Sequence, residues 1–488
     1  MSLSEIRALT RAGATDAAWS LLTAEPAGTD TLTLRGRLLK DRAATAQGTA
    51  RMALLRDAAD AYVQAAAARP ATYPLINAAT LSLLGGARAR AAQLATETLA
   101  LLDSGAHEPD TRYWLAATRA EALLLLDREV EARAALRDAI AGTPRAWEDH
   151  AVTIRQFRLI LAELDRPAAW LDACRPPAPV HFAGPIGIRA DDAQLGTELA
   201  AAIAANGAGI AVGALAAGFD ILAAEALVGA GADLHIVLPA PPDIFVARSV
   251  APAGEAWRAR FEALLAASAQ VDILDLPAGL SAAAVALAEE MAIGCAVRSA
   301  QVLDRETILL RLAGTEAERD PPARANLRRI DLRGGDVGSG GCDLGPPDQV
   351  ATLLATGHAA ADHLAALTGA APQPLPSGCY VTLTDPVAAA HAARALCEAT
   401  GENAAIVLDQ RPPGPHGAPD TAALEALLAL PPRHYPIATR SAALVLAARG
   451  APFRLALAGA SDALPDSDDF FSLWPVLKSP DPTTSAAS

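Results

Sequence analysis

A chain of 488 residues is longer than one ordinary domain and points to about three. Hydrophobic residues reach 52% but aromatics only 4%, which favours helical layers whose cores consist of many small contacts. The net charge of −15, from 40 basic and 55 acidic residues, argues against a general nucleic-acid or anionic-membrane surface, and no apolar run suits a membrane span.

The N-terminus, MSLSEIRALTRAGATDAAW, carries charges throughout and lacks an apolar signal-peptide core. The five cysteines, Cys174, Cys295, Cys342, Cys379 and Cys397, are odd in number and widely spaced. They fit reduced thiols in a cytoplasmic protein and form no zinc motif.

Residues 1–172 read as consecutive helices, at 4–13, 15–24, 30–43, 51–68, 73–85, 87–103, 110–126, 129–141 and 146–164. Turn signals at Gly28, Pro70, Gly85-Gly86, Pro109 and Pro144 separate them. Large residues followed by small ones and a proline recur, as in Tyr62, Ala66 and Pro70. The pattern suggests a tetratricopeptide-like solenoid with a period of about 34 residues; an unspecialised helical bundle is the alternative. YPLINAATLSLLGG (73–86), YWLAATRAEALLLLDREVEARAAL (113–136) and WEDHAVTIRQFRLIL (147–161) resemble the TRAFs-binding region of signalling proteins. That resemblance implies a protein partner on the helices.

A proline-rich linker, CRPPAPV, leads into residues 180–313, where strand candidates at 180–184, 209–213, 234–239, 271–276 and 307–312 alternate with helical stretches. The alternation implies a doubly wound parallel sheet. GIAVGALAAGFDILAAEALVGAG reads as a strand, a small-residue turn and a helix, the arrangement in which backbone and helix N-terminus can receive an anion. Its turn, from Gly213 and Ala214 through Gly218 to Asp220, is similar to the glycine-rich segment of the SLOG superfamily. The resemblance implies a nucleotide- or NAD-derived ligand, with Gly213 and Gly218 allowing close backbone approach. Asp220 would cap the helix or meet a ribose hydroxyl, and Glu225, one turn on, would face the same crevice or be solvated. Ala214 replaces the usual second glycine or serine, and Pro185 removes a donor from the neighbouring turn. A later fragment, Gly314, Thr315 and Glu318, is a partial match to the family's second ligand segment.

Residues 314–348 read as a linker, in which RGGDVGSGG lacks the lysine and following helix of a phosphate loop. Residues 349–460 read as a smaller α/β domain that opens on a helix, QVATLLATGHAAADHLAAL. The domain resembles the class III nucleotide cyclase fold, with Asp331 as one metal-binding candidate; an unrelated α/β domain is the alternative. Ser377-Gly378 stands where that family has its second aspartate, so the resemblance implies an inactive relative and a homodimer through this domain. Residues 461–488 read as a disordered tail whose DSDDFFSLWP segment could dock on a groove. His181 and His235 fall in strands, and the five-residue spacing of His358 and His363 suits no metal pair.

The expected architecture is therefore multidomain α plus α/β: helical repeats, a central doubly wound sheet and a smaller cyclase-like domain. The expected function is a non-enzymatic signalling module that senses a nucleotide-derived ligand. Two alternatives are a hydrolase of nucleotide or N-glycosidic bonds using Asp220, Glu225 or Glu318, and a plain interaction scaffold. No nucleic-acid or membrane partner is expected.

Overall fold

The computed structural model describes residues 3–12, 15–26, 28–274, 279–314, 326–334, 337–338, 342, 344, 349–401, 403–411, 421–430, 435–460 and 469–475. The chain divides into two compact units, with Pro176 ending the first and Pro177–Pro475 forming the second.

The first unit is helical: α1 (Leu3–Ala12), α2 (Thr15–Leu22), α3 (Thr29–Thr45), α4 (Gly48–Ala68), α5 (Thr72–Leu84), α6 (Arg88–Ser104), α7 (Arg112–Leu125), α8 (Glu129–Gly142) and α9 (Trp147–Glu163). Successive helices pack as antiparallel hairpins, and alanines let them approach closely: Ala58, Ala59, Ala78, Ala79, Ala95, Ala120 and Ala132 are buried. The Thr111 hydroxyl caps α7 by accepting the Trp114 N–H at 3.2 Å. The hairpin α3/α4 begins at Thr29, α5/α6 at Thr72 and α7/α8 at Arg112, a wider spacing than the expected repeat. Helix α9 departs from the hairpin pattern. It packs on α5 and α7 rather than on α8, and its Gln156 reaches Glu121 of α7 at 3.2 Å and Lys40 of α3 at 3.4 Å.

The second unit carries two sheets. The first comprises β1 (Val180–Phe182), β2 (Ile210–Gly213), β3 (Asp233–Leu238), β4 (Gln270–Ile273), β5 (Thr307–Leu312) and β6 (Leu327–Leu332). Its order is β4-β3-β2-β1-β5-β6, with every pair parallel, as the alternating sequence implied. Helices α10 (Ala193–Asn206), α11 (Phe219–Gly229), α12 (Pro242–Phe245), α13 (Glu255–Ala267) and α14 (Ala282–Leu303) connect the strands. Strand β6 lies inside the stretch read as a linker. Its LRRIDL sequence mixes charge with apolar residues because it is an edge strand, and Asp331 belongs to this sheet rather than to the following one.

The second sheet comprises β7 (Gln349–Gly357), β8 (Gln373–Leu375), β9 (Gly378–Leu383), β10 (Ala404–Arg411), β11 (Ile437–Thr439), β12 (Phe453–Ala460) and β13 (Asp469–Pro475). It is mixed, ordered β12-β13-β11-β10-β7-β9-β8, and packs against α15 (Ala361–Thr368), α16 (Pro386–Thr400), α17 (Ala422–Leu428) and α18 (Arg440–Ala448). Two expectations are corrected here. Residues 349–357 form a strand, because Thr352, Leu354 and Thr356 alternate with Leu353 and Ala355 and both faces are buried. Residues 469–475, read as tail, form β13 between β11 and β12, with Phe470, Phe471 and Leu473 buried. The apolar-acidic segment thus completes a sheet.

Helix α14 joins the two sheets. A Cβ at Gly294 would run into the Leu444 carbonyl of α18, so glycine permits this crossing. Beside it, Arg440 holds Asp272 of β4 through two bonds, Nε at 3.1 Å and Nη2 at 3.0 Å, with both side chains largely buried.

Candidate ligand-binding cavity

The parallel sheet places three strand ends side by side: Phe182 of β1, Gly213 of β2 and Leu238 of β3. The turns that leave them border a cavity of about 310 Å³, closed on its far side by α14. Such strand ends are where open α/β sheets receive ligands.

The turn after β2 is shaped by its glycines. A Cβ at Gly213 would lie 2.6 Å from the Phe182 carbonyl oxygen, so β1 and β2 approach only because the residue is glycine. Gly218 has φ +127, and a Cβ there would lie 2.8 Å from the Pro185 carbonyl. That carbonyl accepts the Phe219 N–H at 3.2 Å. Pro185 lacks a donor but supplies the acceptor that ties its turn to the start of α11.

Asp220 is buried in the first turn of α11 and borders the cavity. Its Oδ1 accepts the Gly184 N–H at 3.0 Å and its Oδ2 the Ala216 N–H at 3.3 Å. One carboxylate therefore cross-links the turns after β1 and β2. Burial pushes its carboxyl up to about 7 against the opposing pull of those N–H bonds, and Glu289 nearby adds to the rise.

A charged network adjoins Asp220. Arg311 of β5 is buried, donates to His181 Nδ1 at 3.0 Å and to the Leu310 carbonyl at 3.1 Å, and lies 3.6 Å from Glu289 of α14. Burial and the Arg311 charge hold His181 well below the usual imidazole range, so its ring is neutral. The cavity also meets Ser249, whose hydroxyl lies 3.5 Å from Cys342 Sγ.

Of the ligand-binding candidates named from the sequence, Ala214 and Asp220 border the cavity, while Gly213 and Gly218 shape its turns. Glu225 does not border it. Its carboxylate is held by Arg260 of α13, with Nε at 2.7 Å, and Arg260 stacks over Trp257. Gly314 is exposed just beyond β5 with φ +83; Thr315 and Glu318 lie outside the described residues, as does most of RGGDVGSGG. Asp331 pairs with Arg329 at 2.8 Å. His235 is pushed down by burial, and His358 bonds the Pro376 carbonyl at 3.2 Å. Among the described residues no cluster of His, Cys, Asp or Glu is placed to hold a metal. Burial also pushes up the Cys295 and Cys397 thiols, each to about 11, which leaves them protonated.

Sequence reasoning missed Glu289 and Arg311 and dismissed His181. The available signal was one arginine inside the apolar run TILLRL, since a charge in a buried parallel strand needs a partner.

These features define a Rossmann-like parallel α/β sheet with a cavity at its carboxyl edge, in a chain that begins with helical repeats. Residues 4–82 match a family model described as Tetratricopeptide Repeats-Sensor. No curated protein and no solved structure matches the chain. No helix among the described residues is long and apolar enough to cross a membrane.

Proposed function

We propose that this chain is a regulatory protein of the cytoplasm. Its helical unit serves as a platform for a protein partner, and its parallel sheet senses a nucleotide-derived ligand, NAD derivatives included. The match of residues 4–82 to a repeat-sensor family supports the platform. The observation that carries the sensing role is the cavity bordered by Asp220, Glu289 and His181 at the strand ends. The second sheet is read as an inactive relative of the nucleotide cyclase fold that transmits the signal or dimerises. Because α14 borders the cavity through Ala288 and Glu289 and crosses α18 at Gly294, it is the element through which occupancy would reach that sheet.

A thermal-shift screen of the full chain against nucleosides, nucleotides and NAD derivatives tests the sensing role. A hit should raise the melting temperature, and Ala288→Trp, which fills the cavity, should abolish the rise. Absence of any shift would sink the proposal. The Asp220 carboxyl, raised towards neutrality beside a cavity, favours one second reading, hydrolysis of an N-glycosidic bond. Release of nicotinamide from NAD, lost in Asp220→Asn, would support it.

A further inference from the structure

The cavity has the composition of a site for N–H donors rather than for anions. Its ionisable border consists of Asp220, Glu289, the neutral His181 and Cys342, and among the described residues no lysine or arginine borders it. Arg311 does not border it and is engaged with His181 and Glu289, which do.

Four of the backbone donors that these turns could offer to a phosphate are already engaged within the chain. Ala216 N–H and Gly184 N–H go to Asp220. Ala217 N–H goes to the Ser249 carbonyl at 3.0 Å, and Phe219 N–H to the Pro185 carbonyl. A carboxylate of the chain thus occupies the place where a phosphate oxygen would accept, and a second carboxylate stands beside it. An incoming phosphate would meet two carboxyl groups and, among the described residues, no lysine or arginine on the border.

The remaining surface is largely apolar and includes Phe245, Val237, Val285 and Ala288. At about 310 Å³ the space is at the lower end for small-molecule sites, enough for a heterocycle with a sugar. We propose that this cavity receives the amino-bearing edge of a flat nitrogen heterocycle, an aminopurine or aminopyrimidine, with Glu289 and Asp220 as acceptors, and that any phosphate of the ligand stays outside. The inference rests on reading the cavity as a ligand site and adds which end of the ligand enters.

Buried polar groups discriminate strongly between a ligand that pairs with them and an analogue that does not. The test is calorimetric titration of the full chain with adenosine against inosine and cytidine against uridine, pairs that differ in amino against carbonyl, together with inorganic pyrophosphate. At least one amino nucleoside should bind, its carbonyl counterpart at least tenfold more weakly, and pyrophosphate not at all. Glu289→Gln should narrow the difference within the pair, and Ala288→Trp should abolish binding. Equal affinity within both pairs, or pyrophosphate binding that Ala288→Trp removes, would overturn the inference. Binding of NAD or ADP with both amino nucleosides silent would overturn it too, yet would leave the sensing role standing. Silence of every nucleoside, nucleotide and NAD derivative would remove both.

Discussion

Each unit holds a carboxylate that burial pushes up, and the two are handled differently. Glu121 of the helical unit is enclosed by side chains: the Thr80 hydroxyl donates to it at 2.5 Å, Gln156 at 3.2 Å, and Lys40 lies near enough to oppose the effect of burial. Asp220 of the α/β unit is held by two backbone N–H groups, with Arg311 a minor influence, and it borders a cavity. Burial pushes both carboxyls up. Burial alone therefore does not mark a site. A carboxylate of α7 held by partners from α3, α5 and α9 is a tie between helices, whereas one that faces open volume is available to a ligand.

The largest expected effect is on stability against pH, and it sharpens the contrast. Between the ordinary aspartate value of 3.8 and about 7, the folded α/β unit keeps a proton on Asp220 that the unfolded chain has lost. Its contribution is complete below the lower value and disappears as pH rises through the upper one. At about 1.4 kcal/mol per pKa unit the loss is on the order of 4 kcal/mol. Denaturant unfolding followed from pH 4 to 8 should show this fall, and Asp220→Asn should flatten it. The Glu121 contribution has the same sign in its own unit. A bound ligand should displace the Asp220 profile and leave that of Glu121 unchanged; a shift in both would break the contrast.

Next in size is truncation. Asp220→Ala leaves the Gly184 and Ala216 N–H groups without their acceptor and should cost about 2–4 kcal/mol in the α/β unit, read from its chemical-denaturation midpoint. Asp220→Asn keeps one acceptor and should lose less than Asp220→Ala. If Ala and Asn behave alike, the carboxylate is not the cross-link between the two turns.

Much of this architecture was legible in the sequence, because helix and strand periodicities differ. The nine helices predicted over 1–172 and the first five strands of the parallel sheet stand close to where those periodicities placed them. Other features were hidden for identifiable reasons. An edge strand such as β6 tolerates charge on its open side, so LRRIDL resembled a linker. Alanine-rich sequence around 349–367 suggested helix, but tertiary burial of both faces makes its first nine residues a strand. Strand β13 pairs with its chain neighbour β12 and also with β11 across the intervening α18 and β12, and that second, non-local pairing is not encoded in local composition. In the candidate cavity the turn and Asp220 were visible as a motif. Glu289 and Arg311 come from a distant helix and strand, and only the fold brings them together.

A smaller effect is expected for Glu121→Gln. The amide keeps an oxygen for the Thr80 hydroxyl, and it removes the burden of burying a charge, although Lys40 loses its counter-charge. The two changes oppose each other, so the helical unit should move by less than about 1 kcal/mol in its denaturation midpoint. A loss as large as that of Asp220→Ala would mean that Glu121 is held as a charge and not merely as an acceptor.

The smallest effect belongs to a carboxylate that is neither enclosed nor beside a cavity. Asp191 pairs with Arg189 at 2.8 Å while both side chains stay about three-quarters exposed, at 72% and 78%. Water screens such a pair, and ordering two mobile side chains offsets what attraction remains. Arg189→Ala should therefore leave the melting temperature of the α/β unit unchanged within error, and raising the salt concentration should not reveal a difference. A measurable fall would show that geometry this open can still stabilise, and the distinction drawn between Glu121 and Asp220 would then have to rest on what each carboxylate faces, with burial set aside.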